Sequence, residues 1–296
     1  MATIVIGGGT GFIGSALSHA LKERGHKLIL ITRKKGGDSG VWDETFSWEA
    51  LKRSLLPPCD AVINLAGTPI FARRWSESYK REIFSSRIDT TWLLARAIRQ
   101  STAPPKLFIS TSAAHYYPTN QARSFVEEDA PGDSFLALIA QKWEEAAHLA
   151  ENSQTRLATV RIGLPLSREG GLLKRMLPLF RAGLGGPIGK GSQPFPWIHI
   201  DDLVQLFLFI LSNDAAKGPF NAAAPEATSQ RTFAISLASR LHRPACCPLP
   251  APLLKLLLGQ RATLLLDGAS VVPKHALDLG FIFRYPTLGA ALANLL

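Results

Sequence analysis

Cysteine is scarce in this chain. Its 296 residues include three cysteines, Cys59, Cys246 and Cys247. Two are adjacent and the third is distant in the sequence, which is a poor basis for a disulfide framework, so we expect reduced thiols in a reducing compartment. None of them forms the C-x-x-C spacing of a metal site, and no metal is predicted.

Long apolar runs and clustered charge are also missing. The most apolar long stretch, residues 203–211, is interrupted by Gln205 and is far shorter than the roughly 20 residues of a membrane span. A strand pattern begins at Thr3, which leaves no room for a signal peptide. The net charge of +10 is spread, with no run of Lys and Arg longer than residues 33–35. We therefore expect a soluble cytoplasmic protein that binds neither membranes nor nucleic acids; import into an organelle through a signal outside this chain stays open.

The residues that are present favour a folded α/β protein. Hydrophobic residues make up 46% of the chain and charged residues 19%, which is typical of a globular protein with a filled core. Strand patterns alternate with helical spacing, which predicts a doubly wound parallel sheet, the Rossmann arrangement, with right-handed crossovers. The predicted strands cover residues 2–6, 27–32, 60–65, 106–112 and 157–162, and the predicted helices cover 12–24, 76–99 and 135–152.

The composition changes after about residue 163. Glycine and proline become frequent between residues 183 and 196, and an apolar helix is predicted near residues 253–258. We predict a dinucleotide-binding domain over residues 1–163 and a smaller C-terminal substrate lobe over residues 164–296. Whether part of residues 195–225 returns to the main sheet stays open.

A glycine loop follows the first predicted strand. Gly8, Gly11 and Gly14 recur every three residues and precede a helix. In a βαβ unit this pattern predicts a dinucleotide site, because the glycines admit a tight turn and let backbone N–H groups approach a pyrophosphate at the helix N-terminus. Phe12 and Ile13, at the start of that helix, belong to the predicted cofactor site.

The end of the second strand distinguishes between the two nicotinamide cofactors. Sites that prefer NAD usually carry an acidic residue there, whereas this chain has Thr32 and Arg33 and no acid before Asp38. A guanidinium pairs with a 2′-phosphate that a carboxylate would repel. The sequence therefore predicts NADP(H), with Arg33 at the 2′-phosphate, assisted by Thr32 and Lys34.

These segments together resemble the extended and atypical short-chain dehydrogenase/reductase superfamily, and within it the epimerase-family group, whose members are similar to nucleoside-diphosphate-sugar epimerases and carry a short C-terminal domain. The resemblance covers almost the whole chain. It rests on GGGTGFIG (7–14), NLAG (64–67), SRIDTT (86–91), STSAAHYY (110–117), KWEEAA (142–147), GLGGPIGKG (183–191) and PWIHIDDL (196–203), and on the C-terminal segments 249–260 and 271–286.

The resemblance implies further cofactor contacts. Leu65, Ala66 and Gly67 would contact the cofactor after the third strand, and Glu82 and Arg87 would lie near it on the following helix. Pro165 would border the nicotinamide and the substrate. Pairing through two helices is common in this superfamily, so a homodimer is also implied.

The catalytic pattern of the superfamily is broken in this chain. Catalytic members use a Ser with a Tyr-x-x-x-Lys pair on one helix, where the lysine lowers the pKa of the phenol. Ser112 occupies the Ser position and Lys142 is the candidate lysine, but residue 138, four positions earlier, is a leucine.

Three residues after the serine strand are alternatives for the missing tyrosine: Tyr117, which we select, Tyr116 and His115. Two functions stay open. One is an NADP(H)-dependent oxidoreductase or epimerase acting on a small polar molecule. The other is a non-catalytic NADP(H)-binding sensor or partner-binding module.

Overall fold

The computed structural model describes residues 1–33, 40–53 and 56–296. Lys34, suggested above as a contact to the 2′-phosphate, lies outside the described residues.

The described strands and helices follow one another in an α/β order. The strands are β1 (Thr3–Gly7), β2 (Lys27–Thr32), β3 (Glu44–Ser47), β4 (Ala61–Asn64), β5 (Leu107–Ala113), β6 (Ser124–Phe125), β7 (Arg156–Ile162), β8 (Leu164–Leu166), β9 (Trp197–His199), β10 (Gly218–Ala222) and β11 (Ser270–Val271). The helices are α1 (Phe12–Glu23), α2 (Trp48–Arg53), α3 (Glu77–Arg99), α4 (Phe135–His148), α5 (Gly171–Arg181), α6 (Ile200–Ser212), α7 (Gln230–Arg240), α8 (Ala251–Leu258), α9 (Thr263–Leu266), α10 (Lys274–Asp278) and α11 (Leu288–Leu295).

The central sheet is parallel. In the described part of the chain, seven strands pair in the order β10-β7-β5-β4-β1-β2-β3. The predicted doubly wound Rossmann sheet is therefore confirmed. The strand order reverses between β1 and β4, and in such sheets ligands bind beyond the carboxyl ends of the strands at this switch point.

Helices cover both faces of the sheet, because the buried strands are apolar on both sides. Ile4 and Ile6 of β1 pack in one core cluster with Leu17 of α1 and Phe207 of α6. Val5, which points to the opposite face, packs in a second cluster with residues of α3 and α4. Within the described residues, no helix has the length and apolar character needed to cross a bilayer.

The C-terminal part of the chain contributes to two structures. α6 packs on α1, and β10 pairs with β7, so residues 200–222 complete the main sheet and its helical layer. The short parallel pair β8–β9 lies outside that sheet, and α5, α7 and α11 share a separate apolar cluster. The boundary at residues 163 and 164 stays a prediction.

Candidate cofactor and substrate site

The glycine loop is folded against the end of β4. Gly8 has a φ of +77°, in the left-handed region that favours glycine, and a side-chain carbon there would lie 2.6 Å from the Leu65 carbonyl. A carbon added to Gly14 would lie 2.4 Å from the carbonyl oxygen of Gly8. Gly11 is exposed, with a negative φ of −78°, directly before α1. Gly8 and Gly14 thus shape the loop, while Gly11 faces outward at the positive end of a helix dipole.

A large cleft opens beside this loop, at the switch point of the sheet. Its volume is about 1180 Å³. It joins the carboxyl ends of β1, β2 and β4 to one side of α3. Eight of the predicted cofactor residues line it together, namely Gly8, Gly11, Thr32, Arg33, Leu65, Ala66, Gly67 and Glu82.

Two basic side chains among the described residues line the cleft, and one of them was missed by the sequence analysis. Arg33 is exposed just beyond β2, and α2 contributes Lys52 together with Trp48 and Glu49. Lys52 is paired with Glu49 across 2.7 Å on the exposed face of α2. No signal in the sequence pointed to these residues, because β3 and α2 are short and lack a clear apolar period.

Arg87 supports the wall of the cleft instead of lining it. Its guanidinium donates hydrogen bonds to the carbonyl oxygens of Ile83 and Thr68, both at 3.1 Å, and lies 5.4 Å from the ring centre of Trp143. Burial lowers the pKa of Arg87 to about 10. A carbon added to Gly67 would lie 3.1 Å from this guanidinium, so Arg87 supports the loop after β4.

Phe12 and Pro165 meet at the turn before α5. Carbons added to Gly170 and Gly171 would lie 2.3 Å and 3.1 Å from the Phe12 ring, and the second would also lie 3.0 Å from the Pro165 carbonyl oxygen. Ile13 instead packs against the apolar core under α1. The first turn of α1 is therefore fastened to the C-terminal part of the chain, next to the glycine loop.

Ser112 lies in a buried polar network. Its hydroxyl is 3% exposed and donates to Glu144 Oε1 at 2.7 Å. The same carboxylate accepts from Arg161 Nε and Nη2, each at 2.9 Å. Burial disfavours the charge of Arg161, but the hydrogen bonds that it donates to Glu144, the negative charge of Glu144 and the contact with Tyr117 together outweigh burial and raise the pKa of Arg161.

Tyr117 belongs to the same network. It is fully buried, and its hydroxyl accepts from Arg161 Nη1 at 2.7 Å and donates to Asn221 Oδ1 at 2.8 Å. Burial raises the pKa of Tyr117 to about 12. Tyr116 stacks on Arg161, whose guanidinium carbon lies 3.6 Å from the ring centre. Tyr117 is therefore fixed by internal partners and does not reach the cleft.

The structure does not bring Lys142 to Ser112. Lys142 lies on the exposed face of α4, where it pairs with Glu145 at 2.7 Å, and Leu138 on the same face is 52% exposed. The face that does point to Ser112 carries Glu144, with Ala140 and Leu136 at four-residue steps before it. The inward positions that a Tyr-x-x-x-Lys pair would need therefore hold leucine and alanine.

Glu144 was not among the predicted site residues, although a signal for it existed. Ala140, Trp143 and Ala147 recur at helical spacing, and Glu144 falls within that apolar stripe. A carboxylate on a buried face requires a buried partner. Arg161, at a buried position of strand β7, is that partner.

Two smaller cavities lie beyond the ends of β5 and β7. One, of about 260 Å³, is lined by His115, Leu136 and Asp267 among others. The other, of about 30 Å³, is lined by His115, Gly163, Gln230 and Asp267 and by apolar side chains of α5 and α9. Burial lowers the pKa of His115, and the negative charge of Asp267 opposes this shift. Asp267 and Gln230 were missed because only the folded chain brings them to β5.

Comparison with known proteins agrees with this architecture. Residues 4–223 match the NAD dependent epimerase/dehydratase family, and residues 249–295 match a domain of unknown function, DUF1731. The bovine epimerase family protein SDR39U1 is 43% identical, with 99% of each chain covered. A chloroplastic homologue from Arabidopsis thaliana is 37% identical over 98% of this chain and 85% of its own.

Solved structures resemble the chain as well. A crystal structure of human SDR39U1 with NADPH has a TM-score of 0.94 and 40% identity, covering 99% of this chain and 98% of the human one. A nucleoside-diphosphate sugar epimerase from Corynebacterium glutamicum has a TM-score of 0.79 and 29% identity, covering 99% of this chain and 58% of its own.

Proposed function

Because the chain belongs to the NAD dependent epimerase/dehydratase family, we propose that it binds NADP(H) and carries out an oxidoreductase or epimerase reaction on a small polar molecule. The observation that carries the proposal is the cleft at the switch point, where eight predicted cofactor residues meet, the basic Arg33 among them. A bound nicotinamide would supply or accept a hydride there.

The residues of the cleft fit this cofactor. The exposed Gly11 and the start of α1 would hold the pyrophosphate, since glycine carries no side chain at the point where the helix begins. Arg33 would pair with the 2′-phosphate, with Thr32 beside it and Lys52 nearby. The crystal structure of human SDR39U1 contains NADPH, which supports the choice of cofactor.

One observation favours a second function, a non-catalytic NADP(H)-binding sensor or partner-binding module. Ser112 is buried against Glu144, and the inward face of α4 carries Leu136 and Ala140 where a proton-transfer pair would be needed. Such a protein would need the cofactor cleft but no substrate chemistry. The two functions therefore share their cofactor and differ only in turnover.

Fluorescence titration with NADPH and NADH tests the shared part, and a panel of carbonyl compounds and nucleotide sugars added to the loaded protein tests turnover. We expect NADPH to bind more tightly than NADH. Tight binding with turnover supports an enzyme, whereas tight binding without turnover of any panel member supports the sensor. Failure to bind either nucleotide would contradict both.

A homodimer and a cytoplasmic location stay predictions. The paired helices α3 and α4 expose Phe84, Trp92 and Leu138, with 40%, 45% and 52% of each residue accessible. This surface is suited to pairing two copies through these helices. The location is less constrained, since the Arabidopsis relative is named as chloroplastic.

A further inference from the structure

His115 is one of the three alternatives for the missing tyrosine, and it lies three residues after Ser112. It lies in the helical turn Ala114–Tyr116, which directly follows β5, the strand that contains Ser112 and ends at Ala113. Its ring lines both small cavities, and Asp267 also lines both. The imidazole thus stands where the carboxyl ends of β5 and β7 meet the C-terminal part of the chain.

Asp267 is held firmly beside these cavities. Its Oδ1 accepts from Asn120 Nδ2 at 2.7 Å, and Asn120 also donates its backbone N–H to the Gly268 carbonyl oxygen at 2.8 Å. Asn120 has a φ of +57°, an uncommon conformation for a residue other than glycine. A carbon added to Gly268 would lie 2.0 Å from the Pro194 carbonyl oxygen, so this segment has one packed arrangement.

Gln230 provides a second, independent sign of a ligand. It is 2% exposed, its Oε1 accepts from the Ile188 backbone N–H at 2.7 Å, and within the described part of the chain its Nε2 has no hydrogen-bond partner. Buried donors are rarely left unpaired, because the loss of hydration is not repaid. Gln230 lines the smaller cavity, where an oxygen of a bound molecule would satisfy it.

The size and charge of the two cavities limit which molecules can bind in them. Their volumes, about 260 and 30 Å³, fall at or below the roughly 300 Å³ at which pockets for drug-sized ligands begin. Of the described residues that line them, Lys80 is the one Lys or Arg, and it is paired with Glu77 at 3.1 Å. Since diphosphates are bound by arginine and lysine, a nucleotide sugar is poorly suited to this space.

We propose that these cavities bind a small neutral compound bearing a carbonyl or hydroxyl group, with no nucleotide attached, and that His115 exchanges a proton with its oxygen while the Gln230 amide donates a hydrogen bond to it. This inference rests on the proposed function, because it assigns the substrate class and the proton-transfer group of the reaction proposed for the cofactor cleft. Asp267 has an electrostatic role, since its negative charge favours the protonated form of the His115 ring.

The chemistry balances with the proposed cofactor. In the oxidation direction, the hydroxyl proton passes to the neutral imidazole of His115, the C–H electron pair leaves as the hydride that NADP⁺ accepts, and the C–O bond becomes a carbonyl. Reduction is the reverse, with the proton returning from the imidazolium to the oxygen. The lowered pKa of His115 keeps the ring neutral near pH 7, ready to accept a proton.

The test uses the NADPH-loaded chain with ¹⁵N-labelled histidine and reads the ring signals by NMR. His115→Gln identifies the signal by its disappearance. Neutral aldehydes, ketones and amides of up to about ten non-hydrogen atoms, and UDP-glucose, are then titrated in, since an apolar pocket with few polar groups should take the former. We expect at least one small compound to shift the His115 signal, and its affinity to fall about tenfold in Gln230→Leu but not in the exposed control Gln154→Leu.

The pKa of the His115 ring, which depends on the charges around it, supplies a second readout. Asp267 and Lys80 are the charged groups that line the cavities with it. In Asp267→Asn the ring pKa should fall further, since the carboxylate that raises it is lost. An unchanged ring pKa would overturn the role of Asp267, and with it the proposed arrangement.

Turnover separates this inference from the proposed function. If the wild-type chain reduces a panel compound, His115→Gln should lower kcat about 100-fold or more while its NADPH affinity stays within twofold. Unchanged turnover in His115→Gln, a His115 shift with UDP-glucose alone, or no shift with any compound would overturn the inference. Failure of the wild-type chain to bind NADPH would instead overturn the proposed function on which it rests.

Discussion

Glu144 and Arg161 form a two-point ion pair inside the protein, with both N–O distances at 2.9 Å. The side chains are 11% and 4% exposed, so the pair is almost free of solvent screening. Ser112 donates its hydroxyl to the same carboxylate. The residue that the sequence predicts at the catalytic serine position is therefore part of a buried network that joins α4, β5 and β7.

Glu144→Gln should destabilise the fold strongly. Breaking one side of a buried ion pair leaves an uncompensated charge and costs about 3–5 kcal/mol. Ser112→Ala should cost less, about 1.5–3 kcal/mol, because it removes one hydrogen bond to a charged group. Urea unfolding followed by tryptophan fluorescence measures both values. Lys142→Ala, which removes only the exposed pair with Glu145, is the control and should cost about 1 kcal/mol or less.

The outcome also bears on the catalytic role of Ser112. A Ser112→Ala variant that keeps full stability while losing all turnover would contradict the structural role and restore the catalytic one. If Lys142→Ala and Glu144→Gln lowered the free energy of unfolding equally, the side of α4 that carries Glu144 would not be the side that faces Ser112.

The parts of the fold that sequence reasoning found are those with local signals. Ile4, Val5 and Ile6 form a continuous apolar run because a parallel strand is buried on both faces, and the following glycines identify the loop. β3 was missed because its residues are partly exposed at the sheet edge, with no apolar run. Trp48 and Lys52, which follow it, were missed for the same reason.

The candidate catalytic residues show why the arrangement of the site could not be predicted from the sequence. Lys142 was the candidate lysine because it belongs to the KWEEAA segment of the family resemblance, but one helical turn contains several side chains, and only tertiary contacts decide which face is inside. Ser112 meets Glu144, two residues further along the helix. His115 and Asp267 are separated by about half the length of the chain, so no periodicity links them.

Arg33→Ala should change the choice of cofactor. We expect NADPH affinity to fall about 10- to 100-fold, since a charge-assisted contact to the 2′-phosphate is worth about 1.5–3 kcal/mol, while NADH affinity changes less than about twofold. Fluorescence titration measures both. Arg99→Ala, at an exposed position near the end of α3, is the matched control. Equal losses for the two nucleotides in Arg33→Ala would show that Arg33 does not read the 2′-phosphate.

Gly11→Val and Gly14→Val should separate binding from folding. A carbon on Gly11 would approach only the Gly8 carbonyl oxygen, at 3.3 Å, so this variant should fold but lose both NADPH and NADH because its side chain covers the pyrophosphate site. Gly14→Val should lower the melting temperature as well, since its first added carbon already lies 2.4 Å from the same oxygen. Circular dichroism and nucleotide titration distinguish the two. Nucleotide binding retained in Gly11→Val would mean that the loop is only a turn.

A dimer through α3 and α4 predicts that a charge on their shared surface separates the copies. Leu138 is 52% exposed on α4, so Leu138→Lys should leave the monomer folded and shift the sedimentation coefficient from dimer to monomer. Leu256→Lys is the control, since that leucine is 76% exposed on a different helix, α8. If both variants sediment like the parent chain, α3 and α4 are not the contact. If only Leu256→Lys dissociates, the apolar side of α8 pairs the copies instead.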